Sequence, residues 1–294
     1  MKAKLGDRDL EIINRRKNRA KYFCHFTGFL EGIAASGYLE KGEAKPLIAE
    51  SIEFVRLMDD LDANDVIEDF EADLLDFATI EQLAFTRLSE IDFSDKSNRI
   101  NRFLGYCRGI SCDGVITVEE AIKLVEIAKN DISISSDVGI REIVNICYDA
   151  IDDGIVSIEE SNMICDDISK VAGDSYAETG LSALIGVANF DQGELKNGIA
   201  DLFGASAVLT GSFKISPRTL LEKNLQEYGV SISKTVSKKV QYLIIGGEPS
   251  RDWLEMNRGT KIKKAIELRA SGEHPIFLSE YLLMQLMANS NTNS

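Results

Sequence analysis

Residues 207–213 read Ala-Val-Leu-Thr-Gly-Ser-Phe and residues 240–246 read Val-Gln-Tyr-Leu-Ile-Ile-Gly. Both runs are short, apolar and closed by glycine, the pattern of buried strands. Residues 216–229, Ser-Pro-Arg-Thr-Leu-Leu-Glu-Lys-Asn-Leu-Gln-Glu-Tyr-Gly, lie between them. They predict a helix with Ser216 as its cap, Pro217 at its first position and Gly229 as its stop. Further candidates follow: a strand over Ser231–Thr235, a helix over Lys261–Ala270, a strand over Pro275–Leu278 and a closing helix over Ser279–Met287. Strands alternating with helices predict a parallel sheet covered on both faces.

Upstream the pattern changes. Residues 8–200 carry apolar positions at three- and four-residue spacing, as in Leu47, Ile48, Ile52 and Val55, with no strand alternation. Pro46 is the single proline before residue 217. The expected architecture is an all-α N-terminal domain over 1–198 and a small four-stranded parallel-sheet α/β domain over 199–294.

A repeat runs through the helical part. Ala34-Ala-Ser-Gly-Tyr-Leu-Glu-Lys-Gly-Glu-Ala44, Ser111-Cys-Asp-Gly-Val-Ile-Thr-Val-Glu-Glu-Ala121 and Ile151-Asp-Asp-Gly-Ile-Val-Ser-Ile-Glu-Glu-Ser161 share one pattern. It is Gly, two apolar residues, a capping position, then Glu three residues later. In the second and third copies Gly114 and Gly154 suit the positive φ that ends a helix. Thr117 with Glu120, and Ser157 with Glu160, suit capping boxes. The competing reading is calcium, because Asp-Gly-x-Ile-x-x-x-Glu is the second half of an EF-hand loop. Around Gly154, Asp149, Asp153 and Glu160 fall on ligand positions, but Ile151 occupies another; around Gly114 the first ligand position is Gly109. A capped corner is the expectation, with no metal and no cofactor.

Charge separates the two parts. The chain carries a net −15. Residues 201–294 hold 12 Lys and Arg against 9 Asp and Glu, which leaves −18 on residues 1–200. Such asymmetry predicts modules with different partners. A basic cluster, Arg15, Arg16, Lys17, Arg19 and Lys21, interrupts the acidic part and is expected to dock on acidic neighbours. No apolar run reaches the roughly 18 residues of a membrane span, and the first residues lack an apolar signal core. Five cysteines without a CxxC pair and two distant histidines leave little material for zinc. A reduced, cytoplasmic setting is expected.

The C-terminal module resembles BRCT domains, especially those of NAD-dependent DNA ligases and of the large subunit of replication factor C. The resemblance covers roughly 90 residues. It rests on Val208-Leu-Thr-Gly211, Val236-Ser-Lys-Lys239, Tyr242-Leu-Ile-Ile-Gly246, Gly259-Thr-Lys-Ile-Lys-Lys-Ala265 and Pro275-Ile-Phe-Leu-Ser-Glu-Tyr281, in the family's order. Two departures are Gly229-Val230, where the family has Gly-Gly, and Tyr281, where a Trp is common. The resemblance implies a phosphate pocket of Thr210, Gly211 and Lys261. Arg218 matches the extra arginine of relatives that bind a DNA 5′-phosphate. The chemistry is coherent: a hydroxyl, a free backbone N–H, helix N-termini and two cations all favour an anion. Residues 22–185 resemble the tellurite-resistance TerB-like helical family, whose Asp-Gly-x-Ile-x-x-x-Glu corner they repeat; no metal ligands carry over.

No nucleotidyltransferase Lys-x-Asp-Gly motif, Walker A loop or G-x-S-x-G elbow occurs. The expectation is a non-catalytic protein whose C-terminal module binds a DNA 5′-phosphate end while its acidic helical domain engages a protein partner. The alternative is a phosphoprotein-binding adaptor without DNA contact; a calcium-sensing helical domain is a third reading.

Overall fold

The structure, a computed structural model, describes residues 5–40, 42–172, 195, 197–215, 217–247, 259–272 and 274–292. They form two compact units, one all-helical and one built on a four-stranded parallel sheet with flanking helices. The division between them falls within residues 173–194, outside the described residues. Leu195 and Ile199 pack on the core of the sheet unit.

The helical unit runs through α1 (Leu5–Ile33), α2 (Ala44–Met58), α3 (Leu61–Glu71), α4 (Phe77–Leu88) and α5 (Lys96–Ile110). It continues through α6 (Val118–Lys129), the single turn α7 (Ile132–Ser135), α8 (Val138–Ala150) and α9 (Ile158–Ala172). Helix starts explain part of the acidity: Asp60, Asp76, Asp95, Asp131 and Asp137 each accept a backbone N–H of the turn that follows. A carboxylate there also meets the positive end of the helix dipole. Two cores result. Phe26, Phe29 and Ile33 of α1 pack with Leu47, Phe54, Val66 and Ile80. Phe103, Leu104 and Tyr106 of α5 pack with Leu124, Ile143 and Ile164.

Between those cores α1 and α5 meet backbone to backbone. A Cβ on Gly28 would lie 1.9 Å from the Arg102 carbonyl oxygen, and one on Gly105 would lie 1.9 Å from that of His25. Gly32 and Gly109 face each other one turn further on. Charged side chains tie α5 to α1 and to α2. Arg102 makes a two-pronged pair with Glu31, at 2.6 and 2.8 Å. Arg108 and Glu50 pair at 2.7 Å while both are buried. Removing one member of such a buried pair costs about 3–5 kcal/mol, because the other charge stays behind without its counter-ion.

The three repeated corners fold alike. Gly37, Gly114 and Gly154 take φ values of +87°, +82° and +78°. The Thr117–Glu120 capping box closes in both directions. Ser157 and Glu160 make the same reciprocal bonds, at 2.8 and 3.2 Å. The first copy keeps half of the device: the Glu40 N–H donates to Glu43 at 2.7 Å.

In the sheet unit a 3₁₀ turn (Gly198–Leu202) precedes β1 (Ser206–Thr210), α10 (Arg218–Glu227), β2 (Ser231–Ser233) and β3 (Tyr242–Ile245). Then come α11 (Thr260–Arg269), β4 (Ile276–Ser279) and α12 (Glu280–Thr292). The order is β2-β1-β3-β4, all parallel. Leu221 and Leu225 of α10 and Leu283 of α12 cover one face with Leu209 and Ile244. Ile262 and Ala265 of α11 cover the other with Val208, Leu243 and Phe277. Element bounds differ in places from the sequence reading, and the closing helix runs on to Thr292 instead of ending at Met287. Pro217 is the N-cap residue of α10, not its first helical residue, and the expected cap Ser216 lies outside the described residues. β2 stops at Ser233, two residues early.

Among the described residues, no helix is long and apolar enough to cross a membrane.

Candidate functional site

The chain leaves β1 toward β2 on one side and β3 toward β4 on the other. The carboxyl ends of β1 and β3 therefore form the switch point where open parallel sheets bind ligands. The early end of β2 adds a notch beside it. β2 pairs with β1 only as far as Val208↔Ser233, so β1 continues past it through Leu209 and Thr210. The Thr210 carbonyl faces β3, where it accepts from the Gly246 N–H at 2.9 Å. By strand alternation, the Leu209 carbonyl and the Gly211 N–H turn to the vacated edge.

Arg218 and Lys261 meet in that notch. Arg218 opens α10 on one face of the sheet, and Lys261 lies in the first turn of α11 on the other. Arg218 Nη2 donates to the Leu209 carbonyl at 2.8 Å, and Lys261 Nζ donates to the same oxygen at 3.0 Å. Thr210 is buried beside them, and Gly211 follows at φ +85°. Of the four residues expected from sequence, Arg218 and Lys261 share one acceptor, and Thr210 and Gly211 follow that acceptor directly in the chain.

Two positive charges share this carbonyl. Burial is the first cause that lowers the Lys261 ammonium pKa, and the Arg218 charge is the second; Glu222 opposes both. Glu222 also pairs with Arg218 Nε at 3.1 Å, and the Arg218 guanidinium lies 5.8 Å from the centre of the Phe213 ring. Two cations on one neutral carbonyl repel each other, and an anion between them would relieve that repulsion. The N-termini of α10 and α11, which carry Arg218 and Lys261, add positive dipole ends.

Sequence reasoning missed Glu280, the first residue of α12. It is buried, at 2% exposure. One carboxylate oxygen accepts from the N–H groups of Lys214 at 2.7 Å and Ile215 at 3.4 Å; the other accepts from Gly247 at 3.0 Å. A single side chain so ties the loop after β1 to the loop after β3. The loops also touch directly, since a Cβ on Gly246 would sit 2.2 Å from the Ser212 carbonyl oxygen. The only local signal was an acidic residue opening a helix; its burial comes from tertiary packing.

The helical unit supplies less. Asp113 and Asp153 accept the N–H groups of Val115 and Ile155, and Glu120 and Glu160 serve the capping boxes. Among the described residues, no group of three or more His, Cys, Asp or Glu could hold a metal. All five cysteines are buried, and burial pushes the Cys24, Cys147 and Cys165 thiols up to about 12. Those three offer no thiolate nucleophile near neutral pH. His25 is fully buried and neutral: burial first, then Arg108 and Lys21, pull its pKa down to about 3. Of the basic cluster, Arg19 donates to the Met58 carbonyl at 3.3 Å, and Lys21 is buried against Tyr22. The side chains of Arg15, Arg16 and Lys17 lie outside the described residues.

A scan of protein-family models, a search of curated proteins and a search of solved structures each find nothing that matches this chain.

Proposed function

We propose that this chain is a non-catalytic, cytoplasmic DNA-associated protein. Its sheet unit is read as a BRCT-type module that holds a phosphate, namely the 5′-phosphate of a DNA end. The acidic helical unit engages a protein partner. One observation carries the reading: Arg218 and Lys261 reach from opposite faces of the sheet to the same carbonyl at the end of β1. The hydroxyl of Thr210 and the backbone of Gly211 lie beside that carbonyl in the chain, so the donors suit the three oxygens of a terminal phosphate. The +3 balance of residues 201–294 supports a nucleic-acid ligand for this unit.

The test uses the full chain and a 5′-phosphorylated duplex, followed by fluorescence anisotropy. Lys261→Ala and Arg218→Ala should each weaken binding by about 1.5 kcal/mol, the lower end for a charged hydrogen bond because both side chains are partly exposed. Thr210→Val, which keeps shape and removes the hydroxyl, should cost about 1 kcal/mol. If the variants bind DNA like wild type but lose a phosphoserine peptide, the module is a phosphoprotein adaptor. If they lose neither ligand, the notch is not a phosphate site.

A further inference from the structure

We infer that Glu280 is a positioning residue of the candidate site, setting its geometry from behind without touching the ligand. This rests on the phosphate reading of the notch. The Glu280 carboxylate holds the backbone of Lys214 and Ile215 on one side and of Gly247 on the other. Phe213 immediately precedes the held residues, and its ring lies beside the Arg218 guanidinium. Gly211 begins the same loop. A continuous path therefore runs from the start of α12, through the clasped loop, to both the Gly211 N–H and the Arg218 fork. A carboxylate is required because all three partners are donors, and an ionised carboxylate only accepts. Glutamine at this position would turn an NH₂ donor against one set of N–H groups and release that loop.

The test is Glu280→Gln in the full chain, with three readouts. Affinity for the 5′-phosphorylated duplex should fall about tenfold, the scale at which outer partners of a binding site act. Amide exchange at Lys214, Ile215 and Gly247 should quicken. The slope of log affinity against log salt should stay at its wild-type value, because no phosphate-neutralising charge is removed. Lys261→Ala should instead reduce that slope by about 1. Phe213→Leu supplies a second variant that leaves the clasp intact: affinity should drop with exchange at Gly247 unchanged.

Quickened exchange with wild-type affinity in Glu280→Gln would overturn the positioning role and leave the phosphate reading standing. A lowered melting temperature with wild-type affinity of the folded protein would overturn it equally, by making Glu280 merely structural. Should Glu280→Gln not fold, wild-type affinity in Phe213→Leu overturns the path. Equal wild-type binding to 5′-phosphate and 5′-hydroxyl ends, with no binding of a phosphoserine peptide, removes the phosphate reading, and this inference with it.

Discussion

Gly105→Ala probes the closest contact in the helical unit. The added Cβ would lie 1.9 Å from the His25 carbonyl oxygen and 2.8 Å from its carbon. An ordinary C···O approach is about 3.3 Å or more, so α1 and α5 would have to separate by more than about 1 Å. Both sides of the contact are helix backbone, so no rotamer change relieves it. Overpacking costs about 1–3 kcal/mol, and a backbone clash belongs at the upper end. Alanine returns about 1 kcal/mol of helix propensity relative to glycine. The net expectation is a loss of about 2 kcal/mol. Urea unfolding of the full chain, followed by helical circular dichroism, measures it. Gly28→Ala should cost a similar amount, because its Cβ meets the Arg102 carbonyl at 1.9 Å. The double variant should cost less than the sum, since the first separation makes room for the second Cβ. A Gly105→Ala protein as stable as wild type, or more so, would mean that helix propensity alone acts and that the two backbones do not touch.

Stability should also depend on pH in a stated direction. Burial, the largest cause, pushes Glu43 up to about 8 and Glu120 up to about 7 from an ordinary 4.5, with Asp113 and Glu40 adding repulsion. The folded unit then holds protons that the unfolded chain has lost, so stability should fall as pH rises from about 4.5 to about 8. Glu43→Gln should flatten that slope; a level wild-type profile over this range would sink the assignment. Calcium should give no saturable heat by calorimetry, because Asp153 and Glu160 already serve the corner backbone. A tight site abolished by Asp153→Ala would restore the EF-hand reading.

Much of this was legible in local sequence. The corners were, because a positive-φ glycine and a capping box are both short-range devices: Gly154, Ser157 and Glu160 lie within seven residues. The four strands were, because Tyr242–Ile245 is apolar at every position, as a strand covered on both faces must be. Thr210, Arg218 and Lys261 were placed by resemblance, and the parallel topology then brings the two cations to one oxygen. What stayed hidden depends on partners distant in the chain. The spacings Gly28-x-x-x-Gly32 and Gly105-x-x-x-Gly109 are visible, but nothing local says that they face each other. The Arg108–Glu50 pair spans 58 positions and Glu280 reaches back 66 to Lys214, so neither burial nor role could be read from neighbouring residues. The early end of β2, which opens the notch, follows from its register with β1 rather than from its own residues.

The most direct test of the central claim is a single comparison on the wild-type full chain. Two duplexes of identical sequence, one with 5′-phosphate ends and one with 5′-hydroxyl ends, are titrated at the same moderate salt. If the notch between Arg218 and Lys261 holds a terminal phosphate, the phosphorylated duplex should bind at least about tenfold more tightly, the equivalent of one charge-assisted hydrogen bond. Equal affinity for the two ends would contradict the account.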